Sequence, residues 1–163
     1  MTVNRHQPHV QIVPEDGANR QIAKGFESHQ SVRESKLQVL PEARGWGRVL
    51  GDFESIHTNE LRRFPSRYLI LIIDFDNDSG RLALFQSRTP PDLQDRVFVL
   101  GTWSEPERLK KDLGSFETMG RLLAEDCLRH TDTTWAHPPL EHNKGELARL
   151  REQVRSFLFE EEN

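Results

Sequence analysis

The segment formed by residues 68–78 constrains the fold of this chain more than any other, because an unbroken apolar run ends there at three alternating carboxylates. The apolar part is rich in Ile and Leu and does not alternate with polar residues, which is typical of a strand covered on both faces. Such strands are mostly central members of parallel sheets, and open α/β sheets bind ligands beyond the carboxyl ends of their strands. We therefore predict a buried strand that delivers acidic side chains to a site.

The three carboxylates at the end of this run are not equivalent. Asp74 and Asp76 lie on one side of an extended chain and Phe75 lies on the other. Two carboxylates about 5 Å apart repel each other by roughly 3 kcal/mol at an effective dielectric constant near 20, so such a pair usually shares a proton or binds a metal. Asp78 belongs to a segment with turn composition, residues 77–80, and we interpret it as a turn residue rather than a ligand.

Apolar strand patterns and helical patterns alternate along the remaining chain. Besides the central strand, strands are predicted at residues 9–14, 36–41 and 96–101. Helices are predicted at about residues 20–29, after Gly47, and at residues 116–129 and 144–159, whereas residues 81–95 are expected to be loop or a short helix. The helix after Gly47 is expected to bury Val49, Leu50, Phe53 and Ile56, and Ser104 is expected to cap a further helix.

This alternation predicts the α/β class, with a Rossmann-like, about four-stranded, mostly parallel sheet flanked by helices and a helical C-terminal part. The 163 residues are expected to form a single domain. Its core would span about residues 9–110 and its helical part about residues 111–159. The acidic tail, residues 160–163, is expected to be disordered.

Charge and cysteine content limit the choice of partners and compartment. The formal net charge of -4 means that the chain as a whole does not carry the positive charge typical of nucleic-acid-binding proteins. Binding to a phosphate backbone would need a local basic strip, and the candidates are Arg44, Arg48, Arg62, Arg63 and Arg67. The single cysteine, Cys127, excludes an intramolecular disulfide and is interpreted as a core residue. No apolar segment approaches 18 residues, so we expect a cytoplasmic protein without a membrane span.

A second acidic turn follows the first predicted strand. It contains Glu15, and Gly17 beside it permits close approach of the backbone. The carboxyl ends of parallel strands face the same edge of a sheet, so neighbouring first and third strands would place Glu15 beside Asp74 and Asp76. Carboxylate oxygens suit hard cations, and we expect one or two Mg²⁺ or Mn²⁺ ions at this position.

The two motifs together resemble the TOPRIM domain, over about residues 9–110. The resemblance is carried by residues 14–19, a Glu followed by a Gly-containing turn, and by the Asp-x-Asp of residues 74–76. TOPRIM domains occur in topoisomerases, primases, small RNA-maturation nucleases and the overcoming-lysogenization-defect nucleases of phage defence. The resemblance implies Mg²⁺-dependent phosphodiester chemistry, with Glu15 as general acid/base or metal ligand and Asp74 and Asp76 as metal ligands. Asp16 departs from the pattern, since many members have Gly there.

The resemblance also suggests further site residues and partners. Acidic residues of nuclease-type members could correspond to Glu105 or Glu107, after the fourth predicted strand, which would either contact the metal ligands without touching the metal or bind a second metal. Independently of the resemblance, Lys144 is a candidate cation for the charge that develops on the reacting phosphate. The substrate would be DNA or RNA. The chain lacks a P-loop, so an ATPase partner is expected from the family alone, and a homo-oligomer is left open.

Other functions are compatible with the same residues. The acidic cluster is alternatively a solvated turn, in a degenerate domain that binds a protein or nucleotide. A metal-dependent phosphatase is a third reading, although Asp78 stands where haloacid-dehalogenase phosphatases have Thr or Val. His130, His137 and His142 fit no compact zinc motif and are interpreted as a polar interhelical loop.

Overall fold

The computed structural model describes residues 3–160 and contains a four-stranded parallel sheet with the order β2-β1-β3-β4. The strands are β1 (His9–Pro14), β2 (Leu37–Val39), β3 (Arg67–Asp74) and β4 (Val97–Thr102). Every strand pair is parallel, and β1 lies next to β3. The predicted Rossmann-like α/β fold is confirmed.

Within residues 3–160, seven α-helices connect and cover the strands. They are α1 (Gly17–Glu27), α2 (Trp46–Asp52), α3 (Thr58–Arg63), α4 (Gly80–Arg88), α5 (Lys110–Leu113), α6 (Phe116–Arg129) and α7 (Lys144–Leu158). A π-helical segment, Phe53–His57, joins α2 to α3. Across residues 3–160, no helix has both the length and the apolar character needed to cross a membrane.

The central strand is buried on both faces, as its composition predicts. Leu69, Leu71 and Ile73 pack on one face, in a core that includes Phe53 of the π-helical segment. Ile70 lies in the larger core on the opposite face, which α1, α6 and α7 cover. Cys127 is buried in this larger core, and burial raises the pKa of its thiol to about 11.

The segment of residues 81–95, expected to be loop or a short helix, contains the short helix Gly80–Arg88, in which Phe85 is 0% exposed. Two other local predictions are wrong. Ser104 does not cap a helix, because Pro106, with its fixed φ, begins a short 3₁₀-helix and Glu105 precedes it without a side-chain cap. Ile56 is 51% exposed, because the π-helical turn contains more residues than an α-helical turn and rotates this side chain to the surface.

The predicted acidic tail is described only in part. Glu160 donates its backbone N–H to the carbonyl of Ser31 at 2.7 Å, and Val32 forms an antiparallel bridge with Phe159. Residues 161–163 lie outside the described part of the chain.

Helices α1 and α6 cross in direct backbone contact, and two glycines permit this. A methyl group on Gly25 would lie 2.1 Å from the carbonyl oxygen of Glu117, and one on Gly120 would lie 2.0 Å from that of Ile22. Carbon and oxygen cannot approach this closely, so any larger residue would force the helices apart. The contact fixes α1, whose first turn follows Glu15.

The outer edge of the sheet is covered by side chains from the start of α7. Asn143 accepts a hydrogen bond from Gly101 N at 3.1 Å and donates one to Gly101 O at 2.8 Å. Glu146 accepts from Val99 N at 2.9 Å. These bonds replace those of a further strand, and they protect β4 from pairing with another chain.

The α1–α6 crossing makes a testable prediction about stability. Gly25→Ala and Gly120→Ala should each lower the free energy of unfolding by about 2–3 kcal/mol, because the helices must separate. Gly51→Ala in α2 is the matched control, since no atom lies within 4 Å of the added methyl group. It should be neutral or stabilise by up to about 1 kcal/mol. Urea denaturation measures all three, and equal effects at the three positions would contradict the close contact.

Candidate functional site

The pairing of β1 with β3 brings Glu15 beside Asp74. Pro14 is in register with Ile72, and Glu15 N donates to Ile72 O at 2.8 Å, one residue beyond the end of β1. The Glu15 carboxylate in turn accepts from Asp74 N at 2.5 Å. The Glu15 residue is 8% exposed. The structure thus brings together two of the predicted site residues at the carboxyl edge of the sheet.

Asp74 is surrounded by polar groups from three elements. Its Oδ1 accepts hydrogen bonds from Asn19 Nδ2 at 3.2 Å and from Thr102 Oγ1 at 3.3 Å. Thr102 is its register partner on β4. Asp16, the N-cap of α1, accepts from Asn19 N at 2.9 Å and places a further carboxyl group beside Asp74.

Burial and crowding of acids raise the pKa values of two carboxyl groups. Burial raises the pKa of Asp74 to about 7, the charge of Asp16 adds to the increase, and the hydrogen bond from Asn19 opposes it. The pKa of Glu15 is also raised, chiefly by burial, although the bond from Asp74 N lowers it. The negative charges of Asp16 and Asp76 raise it further. A positive charge entering this cluster would therefore be favoured.

Asp76 lies at the same edge but is held by an arginine. It adopts φ 49°, and Asn77 adopts φ 58°, so two successive non-glycine residues are left-handed. Arg81 donates from one nitrogen to Asp76 Oδ2 at 2.8 Å and to Asp74 O at 2.7 Å. Its guanidinium carbon lies 4.4 Å from the centre of the Trp46 ring.

The loop after β2 packs against the acidic turn that contains Glu15. Arg44 N and Gly45 N donate to Glu15 O at 2.8 and 3.2 Å, and α2 begins directly afterwards with Trp46. Arg44 and Arg48 are exposed in this part of the chain. These two arginines are the members of the predicted basic strip that flank the acidic edge.

The predicted basic strip does not continue along the acidic edge beyond Arg48, although the Arg63 side chain, at the end of α3, is 71% exposed. Arg67 is only 4% exposed and donates to His9 Nε2 at 3.0 Å, and Arg62 pairs with Asp92 at 3.1 Å. Arg67 and His9 lie at the start of their strands, at the edge opposite the carboxylates. The strip is therefore discontinuous, because the fold separates its members between two edges of the sheet.

The remaining candidates lie outside the Glu15–Asp74 contact. Glu105, Glu107 and Lys144 are exposed. Asp78 accepts from Gly80 N at 2.8 Å and so stabilises the turn before α4, in agreement with its interpretation as a turn residue. Within residues 3–160, no three His, Cys, Asp or Glu side chains, the three interhelical histidines included, converge in a way that would hold a metal ion.

The donor set nevertheless fits a hard cation. Glu15 and Asp74 supply carboxylate oxygens of raised pKa, and Asn19, which is 1% exposed, has a buried Oδ1 without a hydrogen-bond partner. A buried unpaired oxygen is costly, and a cation or its water would satisfy it. Asp76 would become the third carboxylate ligand of the cation only after its ion pair with Arg81 is broken.

Sequence reasoning missed several residues of this edge. Asn19 and Thr102 carry no motif, and only the observed helix start and strand register place them on Asp74. In the sequence, Asp16 stands out only as a departure from the TOPRIM pattern. Arg81 lies five residues after Asp76 in a segment expected to be loop or a short helix, so its contact with Asp76 had no visible signal.

Comparison of the chain with protein-family models, with curated proteins and with solved structures finds no match.

The raised pKa of Asp74 predicts an unusual pH dependence. Between about pH 4 and 7 an unfolded chain releases this proton whereas the folded protein keeps it, so the residue lowers stability as pH rises and does so fully above about pH 7. Asp74→Asn should therefore stabilise the protein at pH 8 by about 1–2 kcal/mol, a value reduced by partial solvation, and by almost nothing at pH 4. Urea denaturation at both pH values tests this.

Asp78→Asn is the matched control for that experiment. Its side chain can keep the bond to Gly80 N, and it lies outside the buried cluster. A stabilisation of Asp74→Asn that is the same at pH 4 and pH 8 would show that Asp74 ionises normally.

Proposed function

We propose that this chain is a TOPRIM-like nuclease that binds Mg²⁺ or Mn²⁺ and cleaves phosphodiester bonds in DNA or RNA. The observation that carries the proposal is the convergence of Glu15 and Asp74 from adjacent strands at the carboxyl edge of a parallel sheet. The supporting observation is the unpartnered buried oxygen of Asn19 beside them. Together they provide oxygen donors for a hard cation.

The residues of the edge would have distinct roles in this reaction. Glu15, Asp74 and Asp76 would hold the cation, and Asn19 and Thr102 would orient Asp74 through their hydrogen bonds to Oδ1. Glu15 has a raised pKa, which brings it closer to the range useful for moving a proton to or from a reacting oxygen. The bound metal would stabilise the charge that develops on the phosphate oxygens.

Substrate binding would use the positive charge next to this edge. Arg44 and Arg48 flank the acidic groups, exposed, on the loop and helix that follow β2. Two arginines suffice for a few phosphate contacts but not for tight binding, because each phosphate contact contributes modestly and is weakened by salt. A partner protein, such as an ATPase, would supply further contacts.

A second candidate function is supported by one contact. The Arg81–Asp76 ion pair neutralises one of the three carboxylates without any metal. A TOPRIM-like domain that has lost catalysis and binds nucleic acid or a protein partner would have such a pair.

Cleavage assays separate these candidates. The protein is incubated with single-stranded DNA, duplex DNA and single-stranded RNA in Mn²⁺, Mg²⁺ or EDTA, and the products are separated by electrophoresis. Cleavage should require metal, and Glu15→Gln and Asp74→Asn should each slow it by a factor of about 10² or more, because each removes a carboxylate from the cation.

Asp78→Asn is again the control and should cleave at close to the wild-type rate. Cleavage that persists in EDTA, or in Glu15→Gln, would overturn the proposed mechanism. Binding of nucleic acid without cleavage in any metal would favour the second candidate. Hydrolysis of p-nitrophenyl phosphate without nucleic acid cleavage would indicate a phosphatase.

A further inference from the structure

Arg81 is more deeply buried than its ion pair requires. The residue is 9% exposed, whereas the side chain of Asp76, its partner, is 58% exposed. One guanidinium nitrogen serves both Asp76 Oδ2 and Asp74 O. The Nε atom is buried and has no hydrogen-bond partner. A buried donor without an acceptor is rare in folded proteins and points to a ligand that would supply one.

The environment of Arg81 holds its guanidinium plane in place. The guanidinium lies over the Trp46 ring at 4.4 Å, and Trp46 itself contacts Phe85 at 6.5 Å between ring centres. This cation–π contact and the bonds to Asp76 and Asp74 together limit the positions that the guanidinium can adopt. Such a preorganised fork suits the paired oxygens of a phosphate group.

The partner of Arg81 is held in an unfavourable backbone conformation. Asp76 and Asn77 are both left-handed, which non-glycine residues adopt only where surrounding contacts impose it. The Arg81–Asp76 pair is one such contact, beside the backbone bonds from Asn77 N to Trp103 O at 2.8 Å and from Asp78 N to Phe75 O at 2.9 Å. Because the Asp76 side chain is 58% exposed, it can leave Arg81 by a change of rotamer when another anion takes its place.

We propose that Arg81 is the phosphate-binding residue of this site and that Asp76 occupies its guanidinium until a substrate phosphodiester replaces it. The inference rests on the proposed function, because Asp76 released from Arg81 becomes available to the cation. Phosphate and cation therefore bind with positive coupling: each one stabilises the arrangement that the other requires. Trp46 is a positioning residue, since it acts by orienting Arg81.

The test measures binding of Mn²⁺ alone by calorimetry, in the wild type and in Arg81→Gln. Without the guanidinium, Asp76 has no competing cation, so Arg81→Gln should bind Mn²⁺ roughly three- to tenfold more tightly. A phosphorothioate oligonucleotide, which resists cleavage, should bind roughly three- to tenfold more weakly. In the wild type the oligonucleotide should tighten Mn²⁺ binding, and in Arg81→Gln this coupling should disappear.

Arg88→Gln is the matched control. Arg88 lies on the same helix and pairs with a glutamate, Glu54, at 3.3 Å, with 51% of its side chain exposed. This variant should bind Mn²⁺ and the oligonucleotide as the wild type does. Circular dichroism melting curves establish that each variant is folded.

Arg81→Lys is a second variant, which tests the phosphate-binding role even if Arg81→Gln does not fold. Lysine retains the charge for Asp76 but lacks the planar fork, so Mn²⁺ affinity should stay near that of the wild type while oligonucleotide binding weakens about fivefold. Equal oligonucleotide affinity in Arg81→Lys and wild type would overturn the phosphate-binding role.

Equal Mn²⁺ affinity in Arg81→Gln and wild type would overturn the exchange at Asp76 and leave the proposed metal site unaffected. Absence of Mn²⁺ binding in every protein would overturn the proposed function and this inference together.

Discussion

The parallel register between β1 and β3 is the constraint on which the acidic edge depends. It continues one residue past Pro14, where Glu15 N still bonds to Ile72 O, and so sets the Glu15 carboxylate against Asp74 N. Because side chains alternate along a strand, a slip of one residue would turn these groups to opposite faces. A shift of β3 would also require both cores to repack, because Leu69, Leu71 and Ile73 lie in one core and Ile70 lies in the other.

The cost of this arrangement appears as electrostatic strain. Burial raises the pKa of Glu15 and brings that of Asp74 to about 7, and the charge of Asp16 raises both. The fold offsets part of the repulsion with a buried cation, Arg81, held over Trp46. The same edge therefore combines acids that favour a positive ligand with an arginine that favours a negative one. The proposed phosphodiester cleavage would use both.

Two features away from the edge keep its parts in position. The glycine crossing of α1 and α6 holds α1, and with it Asn19, against the sheet. The side chains of Asn143 and Glu146 complete the hydrogen bonds of β4, the strand that carries Thr102. Both features use backbone contact or buried hydrogen bonds, which tolerate little displacement. Asp76, by contrast, is exposed and lies in a short left-handed turn, so it is the part of the edge with most freedom to change partners.

The sequence by itself predicted the parallel sheet and the meeting of Glu15 and Asp74 at its carboxyl edge. The uninterrupted apolar run of β3 and the acids that follow it predicted a buried parallel strand, and Glu15 after the first strand followed from the same rule about strand ends. These are local patterns, because burial of a strand is visible in its own composition. Tertiary structure alone decided that Arg81 holds Asp76, that Asn19 and Thr102 bond to Asp74, and that Arg67 lies at the far edge. Such contacts join side chains from separate elements, and their distances follow from helix starts and strand register that local periodicity does not encode.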